Sequence, residues 1–145
     1  MKKLLLAISA GALLLTACAD APVYEPEPEK PEPKVTTAPI GCSKPRQCEA
    51  MWLEAKRILP ELSGMKLYAV TTDYLETYQP QFNTGYDIRL YAKAFKRPTP
   101  GGSYIIEPDF YYDQYSLYLK EEKAQAVERY DAFNRRMAEI AQSFQ

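Results

Sequence analysis

The chain has 145 residues, 46% hydrophobic and 26% charged, with a net charge of −1, a globular composition with room for one modest core. It carries 12 prolines and 12 tyrosines against 6 glycines, and no histidine. The missing imidazole excludes Ser-His and Cys-His nucleophile pairs, histidine acid/base chemistry and histidine-ligated metals.

Met1-Lys2-Lys3 is a short positive start, and Leu4 to Leu15 is an apolar run broken only by Ser9 and Gly11. That is the length of a secretory apolar region and too short to span a bilayer, so residues 1–17 are expected to be a signal peptide removed on maturation. The run ends in Leu15-Thr16-Ala17-Cys18, which resembles the bacterial lipobox: a leucine, two small residues that fit a peptidase, then a cysteine whose thiol receives diacylglycerol. The resemblance implies a lipoprotein whose first mature residue, Cys18, holds it on a membrane through acyl chains, without a spanning segment. Lipoproteins of this kind stay at the inner membrane when aspartate directly follows the cysteine. Ala19 follows here and Asp20 comes one later, which implies the outer membrane, with the periplasmic face as the expected side.

Residues 18–41 hold half of the prolines, with Glu25, Glu27, Glu29 and Glu32 interleaved among Pro22, Pro26, Pro28, Pro31, Pro33 and Pro39. Fixed φ, missing backbone donors and like-charge repulsion predict a stiff tether of roughly 70 Å at about 3.1 Å per residue. A docking peptide for a proline-recognising partner is the other reading of this segment. The boundary of the folded domain is expected at Cys42, and 42–145 holds acidic and basic side chains in equal number. A balanced surface without a basic run speaks against nucleic acid as a partner.

Cys48, Met51, Trp52, Ala55, Ile58, Leu59 and Leu62 share one face at helical spacing, which predicts an amphipathic helix with Ser43 as N-cap, Gly64 as stop and Pro60 tightening its last turn. Trp52 is expected in the core. With Cys18 lipidated, Cys42 and Cys48 are the remaining thiols, and an even pair in an oxidising compartment predicts a disulfide. On one continuous helix their Cα atoms would stand about 9 Å apart, beyond disulfide reach, so Cys42 is expected on a turn folded back over the helix start.

Met65 to Tyr78 reads as one strand. Tyr86, Ile88, Leu90, Ala92 and Ala94 alternate with Asp87, Arg89, Tyr91, Lys93 and Phe95, the period of a half-buried second strand. Pro98 to Gly102 makes a turn, and Ser103 to Glu107 returns as a third strand that Pro108 ends or marks as an edge. From about Leu117 a second helix follows, with Ala126, Tyr130, Phe133, Met137, Ile140 and Phe144 on one stripe. The expected fold is α+β: a small three-stranded antiparallel sheet covered by an N-terminal and a C-terminal helix, α-β-β-β-α. Tyr68, Tyr86 and Tyr130 fall on its core-facing or sheet-facing stripes.

Cys48-Glu49-Ala50-Met51-Trp52 with Ala55, followed by Gly64-Met65-Lys66 and by Asp73, Glu76, Thr77 and Tyr78, resembles a family of small uncharacterised proteobacterial envelope proteins. The likeness runs from Cys42 to about Asp113. Members of that family often carry a further cysteine pair after the third strand, where this chain has Asp109-Phe110-Tyr111-Tyr112-Asp113. The resemblance supports the domain and implies no activity.

The densest polar and aromatic feature lies from Tyr104 to Tyr118. Tyrosine offers flat apolar area with a polar tip, suited to protein interfaces and to stacking on sugars. Tyr104, Asp109, Tyr111, Tyr112, Asp113, Tyr115 and Tyr118 are therefore the candidate interaction surface for an envelope protein partner. A glycan such as peptidoglycan is the alternative partner. Two of the carboxylates Glu107, Asp109 and Asp113 could serve as a weak glycan-hydrolase pair, although a small domain lacks the deep cleft that raises an acid's pKa. The stretch has no EF-hand pattern, and the chain has no phosphate loop, dinucleotide fingerprint or Ser-Lys motif, so neither metal nor cofactor is expected. The sequence therefore predicts a non-enzymatic interaction or assembly accessory on a membrane anchor. Cys18→Ser is expected to move the protein from the membrane to the soluble fraction; unchanged partitioning of that variant would refute lipidation.

Overall fold

The computed structural model describes residues 31–80, 89–112 and 118–145. Among the described residues seven elements follow one another: β1 (Ile40–Cys42), α1 (Pro45–Ser63), β2 (Leu67–Val70), β3 (Tyr74–Thr77), β4 (Tyr91–Pro98), β5 (Tyr104–Tyr111) and α2 (Leu119–Gln142). The fold is α+β with an N-terminal and a C-terminal helix, but the sheet has five strands, all antiparallel, in the order β1-β5-β4-β3-β2.

Two of those strands correct the expected three. Met65 to Tyr78 is a hairpin rather than one strand, because Thr71 reverses the chain. Its hydroxyl accepts from the Tyr74 N–H at 2.9 Å and donates to the Asp73 carboxylate at 2.9 Å, and its N–H donates to the Tyr74 carbonyl at 2.8 Å. A side chain closes this turn without glycine or proline. The reversal explains why both faces of the segment look mixed when it is read as one strand.

The other addition is β1, within the stretch expected to be tether. The folded unit begins at Pro31, and Asp131 on α2 seats the approach to β1. Its carboxylate accepts from the backbone N–H groups of Thr36 and Thr37 at 3.0 to 3.2 Å and from their hydroxyls at 2.6 and 2.7 Å. Ile40, Gly41 and Cys42 then pair with Ile106, Ile105 and Tyr104. Cys42 thus ends a strand instead of lying on a turn, and its disulfide to Cys48 spans 5.1 Å between Cα atoms.

α1 places Cys48, Met51, Trp52, Ala55, Ile58 and Leu59 in the core, as its periodicity predicts, and Leu62 packs at the margin. Its N-cap is Lys44 rather than Ser43, with Pro45 taking a first-turn position that needs no N–H. The Ser43 N–H instead donates to the Gln47 side chain at 3.1 Å. Gly64 closes the helix at φ +74°, donating its N–H to the Pro60 carbonyl at 3.0 Å, and a Cβ there would stand 3.0 Å from Arg89 Cγ. Glycine is required on both grounds.

β4 starts at Tyr91, and Leu90, Ala92 and Ala94 are buried as the alternation requires. Residues 86–88 of the expected second strand lie outside the described residues. β5 runs past Glu107 to Tyr111 with Pro108 inside it, opposite Ala94. Proline is tolerated because β1 stops at Ile40, opposite Ile106, so β5 has no partner on that side at Pro108 to miss the donor.

Both helices lie on one face of the sheet, α1 over β4 and α2 over β5. Leu75, Ala92, Ala94, Ile106 and Phe110 meet Met51, Leu59, Phe133 and Met137 there. Alanines in β4 provide the close approach that α1 needs. Arg136 of α2 reaches Glu54 of α1 at 2.7 Å, and Arg57 meets the same carboxylate at 2.7 Å. The Arg57 hydrogen bond, with Arg136, overcomes burial and holds Glu54 at about 2.

Burial alone would raise the Asp131 carboxyl, yet the bonds from Thr36 and Thr37 outweigh it and hold the group at about 2, below its ordinary 3.8. A depressed folded pKa stabilises the fold above the unfolded value, and that contribution is lost as pH falls through the folded one. The Asp131 contribution is therefore complete above about pH 5, falls as pH drops through about 2, and is gone below about pH 1. Asp131→Asn, which turns amide hydrogens toward donors, is expected to cost about 2 kcal/mol at pH 7 in denaturant unfolding, with the gap to wild type closing toward pH 2. A pH-independent gap would refute the clamp.

Candidate functional site

The face of the sheet opposite the helices carries a second set of side chains, from alternate residues of β3, β4 and β5. Register sets them in rows. Tyr74, Phe95 and Glu107 share one row, Glu76, Lys93 and Asp109 the next, and Tyr91 and Tyr111 the third. An acid-base-acid row thus runs between two aromatic ones.

The rings contact one another within and beyond these rows. Tyr74 and Phe95 have centroids 5.3 Å apart, Tyr91 and Tyr111 5.1 Å, and at the β2–β3 end Tyr68 and Tyr78 meet edge-on at 5.1 Å. The Lys93 ammonium stands 5.2 Å from the Tyr91 centroid and 5.4 Å from that of Tyr111, and the Arg97 guanidinium 4.6 Å from Phe95. These are cation–π distances. Arg97 also pairs with Glu107 at 3.2 Å.

Hydroxyls and carboxylates are coupled along this face. The Tyr91 hydroxyl donates to Glu76, and that bond, helped by Tyr74 and the Lys93 charge, holds Glu76 below the usual carboxylate range against its burial. Burial, then the Glu76 carboxylate, pushes the Tyr91 phenol up to about 12. Burial followed by the bond to Asp109 raises Tyr111 as well. At neutral pH the phenols are donors and Glu76 an ionised acceptor. Tyr68, Tyr78 and Tyr111 are 65%, 52% and 40% exposed, so the rings remain open to a partner.

The described residues among those singled out in the sequence do not form one patch. Tyr111 and Asp109 stand on this face. Tyr104 sits at the start of β5 beside α1, its ring under the Lys96 ammonium at 4.9 Å. Tyr112 is exposed past the end of β5, and Tyr118 is the N-cap of α2. Asp113 and Tyr115 lie outside the described residues, as does Tyr86. Glu107 and Asp109 alternate on β5, with Glu107 committed to Arg97. Trp52 is buried as expected and donates its indole N–H to the Thr71 carbonyl at 3.3 Å. Tyr130 packs at the core margin, whereas Tyr68, expected on a core-facing or sheet-facing stripe, is mainly solvent-exposed.

Tyr74, Glu76, Tyr91, Lys93 and Phe95 belong to the face and were missed by sequence reasoning. The alternation in β4 marks Tyr91, Lys93 and Phe95 as the wetter side of a strand, but only pairing with β3 and β5 sets them beside Tyr74, Glu76, Asp109 and Tyr111. Among the described residues no group of three acids or cysteines is placed to hold a metal, and no helix is long and apolar enough to cross a membrane.

No protein-family model matches the chain, and no curated protein matches its sequence. Lys93→Glu would place three carboxylates in one row. It is expected to lower stability by about 1 kcal/mol or more, while Lys93→Met, which keeps the stem over the rings, costs less. Equal melting temperatures for the two variants would show that the row's charge alternation contributes nothing.

Proposed function

We propose that this chain is a lipid-anchored protein of the bacterial outer membrane, held through Cys18, whose domain docks an envelope protein through the tyrosine-rich face of its sheet, without catalysis. The observation that carries the reading is that face itself: Tyr68, Tyr74, Tyr78, Tyr91, Phe95 and Tyr111 on one side of a sheet whose two helices lie on the other. Rigid rings with polar tips supply contact area at little cost in side-chain entropy, and aromatics are enriched where proteins meet. The strands fix the rings in place before any partner arrives, which reduces the ordering cost of binding. The Pro/Glu segment after Cys18 gives the domain reach from the membrane surface to such a partner.

A glycan is the rival ligand, since Glu76 and Asp109 would accept sugar hydroxyls beside the rings. Photo-crosslinkers placed at Tyr68, Tyr78 and Tyr111 in whole cells are expected to capture a discrete protein, whereas a control at Glu61 on α1 captures none. Absence of protein adducts, together with sedimentation on purified peptidoglycan that Tyr111→Ala abolishes, would overturn protein docking in favour of glycan binding.

A further inference from the structure

A second surface lies at the other side of the domain. Between the first half of α1 and the ends of the β2–β3 and β4–β5 hairpins runs an open groove of about 790 Å³, within the range of ligand-binding clefts. Trp52 forms its base. Leu53, Val70 and Tyr104 line it while remaining 67%, 51% and 38% exposed.

Two cations flank this apolar lining from opposite walls, Lys56 on α1 and Lys96 on β4. Neither has a carboxylate partner among the described residues; Lys96 meets the Tyr104 ring and Lys56 makes no bond. Glu49, the one acid in the lining, sits two helical turns before Lys56, about 10 Å along the axis. The groove therefore has a local positive site rather than a uniform positive field. The walls are also tied together: Cys48 lines the α1 side, and its disulfide partner Cys42 pairs across the ladder with Tyr104. Such a tie presets the width of the groove.

We infer that this groove binds a peptide segment of a partner protein that presents a large apolar side chain flanked by carboxylates. The apolar residue lies against Leu53, Val70 and Tyr104, over the buried Trp52, and its carboxylate flanks meet Lys56 and Lys96. Charge complementarity selects the acidic flank, and the exposed apolar lining selects the anchor. An anionic bilayer is disfavoured because a flat surface cannot enter the groove between α1 and the hairpin ends. A free acyl chain is disfavoured because the wall at Leu53 is open to water. This inference is independent of the sheet-face reading, since its residues belong to a different surface.

The test uses the full chain in detergent and labelled acetyl-Glu-Glu-Leu-Phe-Glu-Glu-amide, read by anisotropy and by the emission of Trp52, the sole tryptophan. Saturable binding is expected, with the Glu-to-Lys counterpart of the peptide failing to compete. Lys56→Glu with Lys96→Glu is expected to weaken binding by about tenfold. Leu53→Ser, at an exposed position, is expected to weaken it by about fivefold at an unchanged melting temperature. No binding, equal competition by the lysine peptide, or unaltered affinity of both variants would overturn the inference. So would phosphatidylglycerol vesicles that displace the peptide and show the same dependence on Lys56 and Lys96, which would make the groove a lipid site.

Discussion

The carboxylate of Asp131 is the point on which the arrangement of the domain depends. Four donors converge on it, two backbone N–H groups and two hydroxyls, all from Thr36 and Thr37. A proline-rich approach cannot hold itself in place through its own backbone bonds, so an acceptor on α2 does so. Seating the two threonines brings Ile40 to Cys42 alongside β5, and the pairing there places Cys42 against the start of α1. Asn134, one turn further along α2, donates a hydrogen bond from its side-chain amide to the Thr37 hydroxyl oxygen at 3.1 Å. Strand, disulfide and helix start thus follow from one buried ion that is fully hydrogen-bonded, the condition under which a buried charge is stable.

The sheet divides two kinds of chemistry by the two-residue period of its strands. Toward the helices it offers buried apolar side chains: Leu75, Ala92, Ala94, Ile106, Pro108 and Phe110. Away from them it offers rings and charges in registered rows. A one-residue slip of β4 would exchange Ala92 and Ala94 for Lys93 and Phe95 under α1, so burial of the helix face also fixes the composition of the outer face. The same pairing that builds the core builds the candidate binding surface.

Periodicity made α1, α2 and the inner side of β4 legible in the sequence, because each carries its pattern within one continuous segment. Three features lay beyond that reach. The Thr71 turn hides in a β-branched, polar run, since its closing hydrogen bonds come from a hydroxyl rather than from glycine or proline. The strand β1 hides at the end of a proline-rich segment, since its partners Tyr104 to Ile106 and its clamp at Asp131 are distant in sequence. The outer face could be read only in part. Tyr111 and Asp109 stand out by local density, but their neighbours Tyr91 and Lys93 come from the facing strand and Tyr74 and Glu76 from the next.

The carboxyl groups with shifted titration bear on what these surfaces can do. Glu54, Glu76 and Asp131 are all held below their ordinary values, so each is an ionised acceptor at neutral pH. General acid catalysis by a carboxyl group requires the opposite shift, a proton retained by burial or by a neighbouring like charge. On the outer face Glu76 instead lies beside phenols and Lys93, which favour its charged form. Tyr74, Tyr91 and Tyr111 in turn are raised and keep their protons. A surface of fixed donors and acceptors among flat rings is equipped to match the polar pattern of another surface, and it is this complementarity, more than any proton transfer, that supports reading the domain as a binding module.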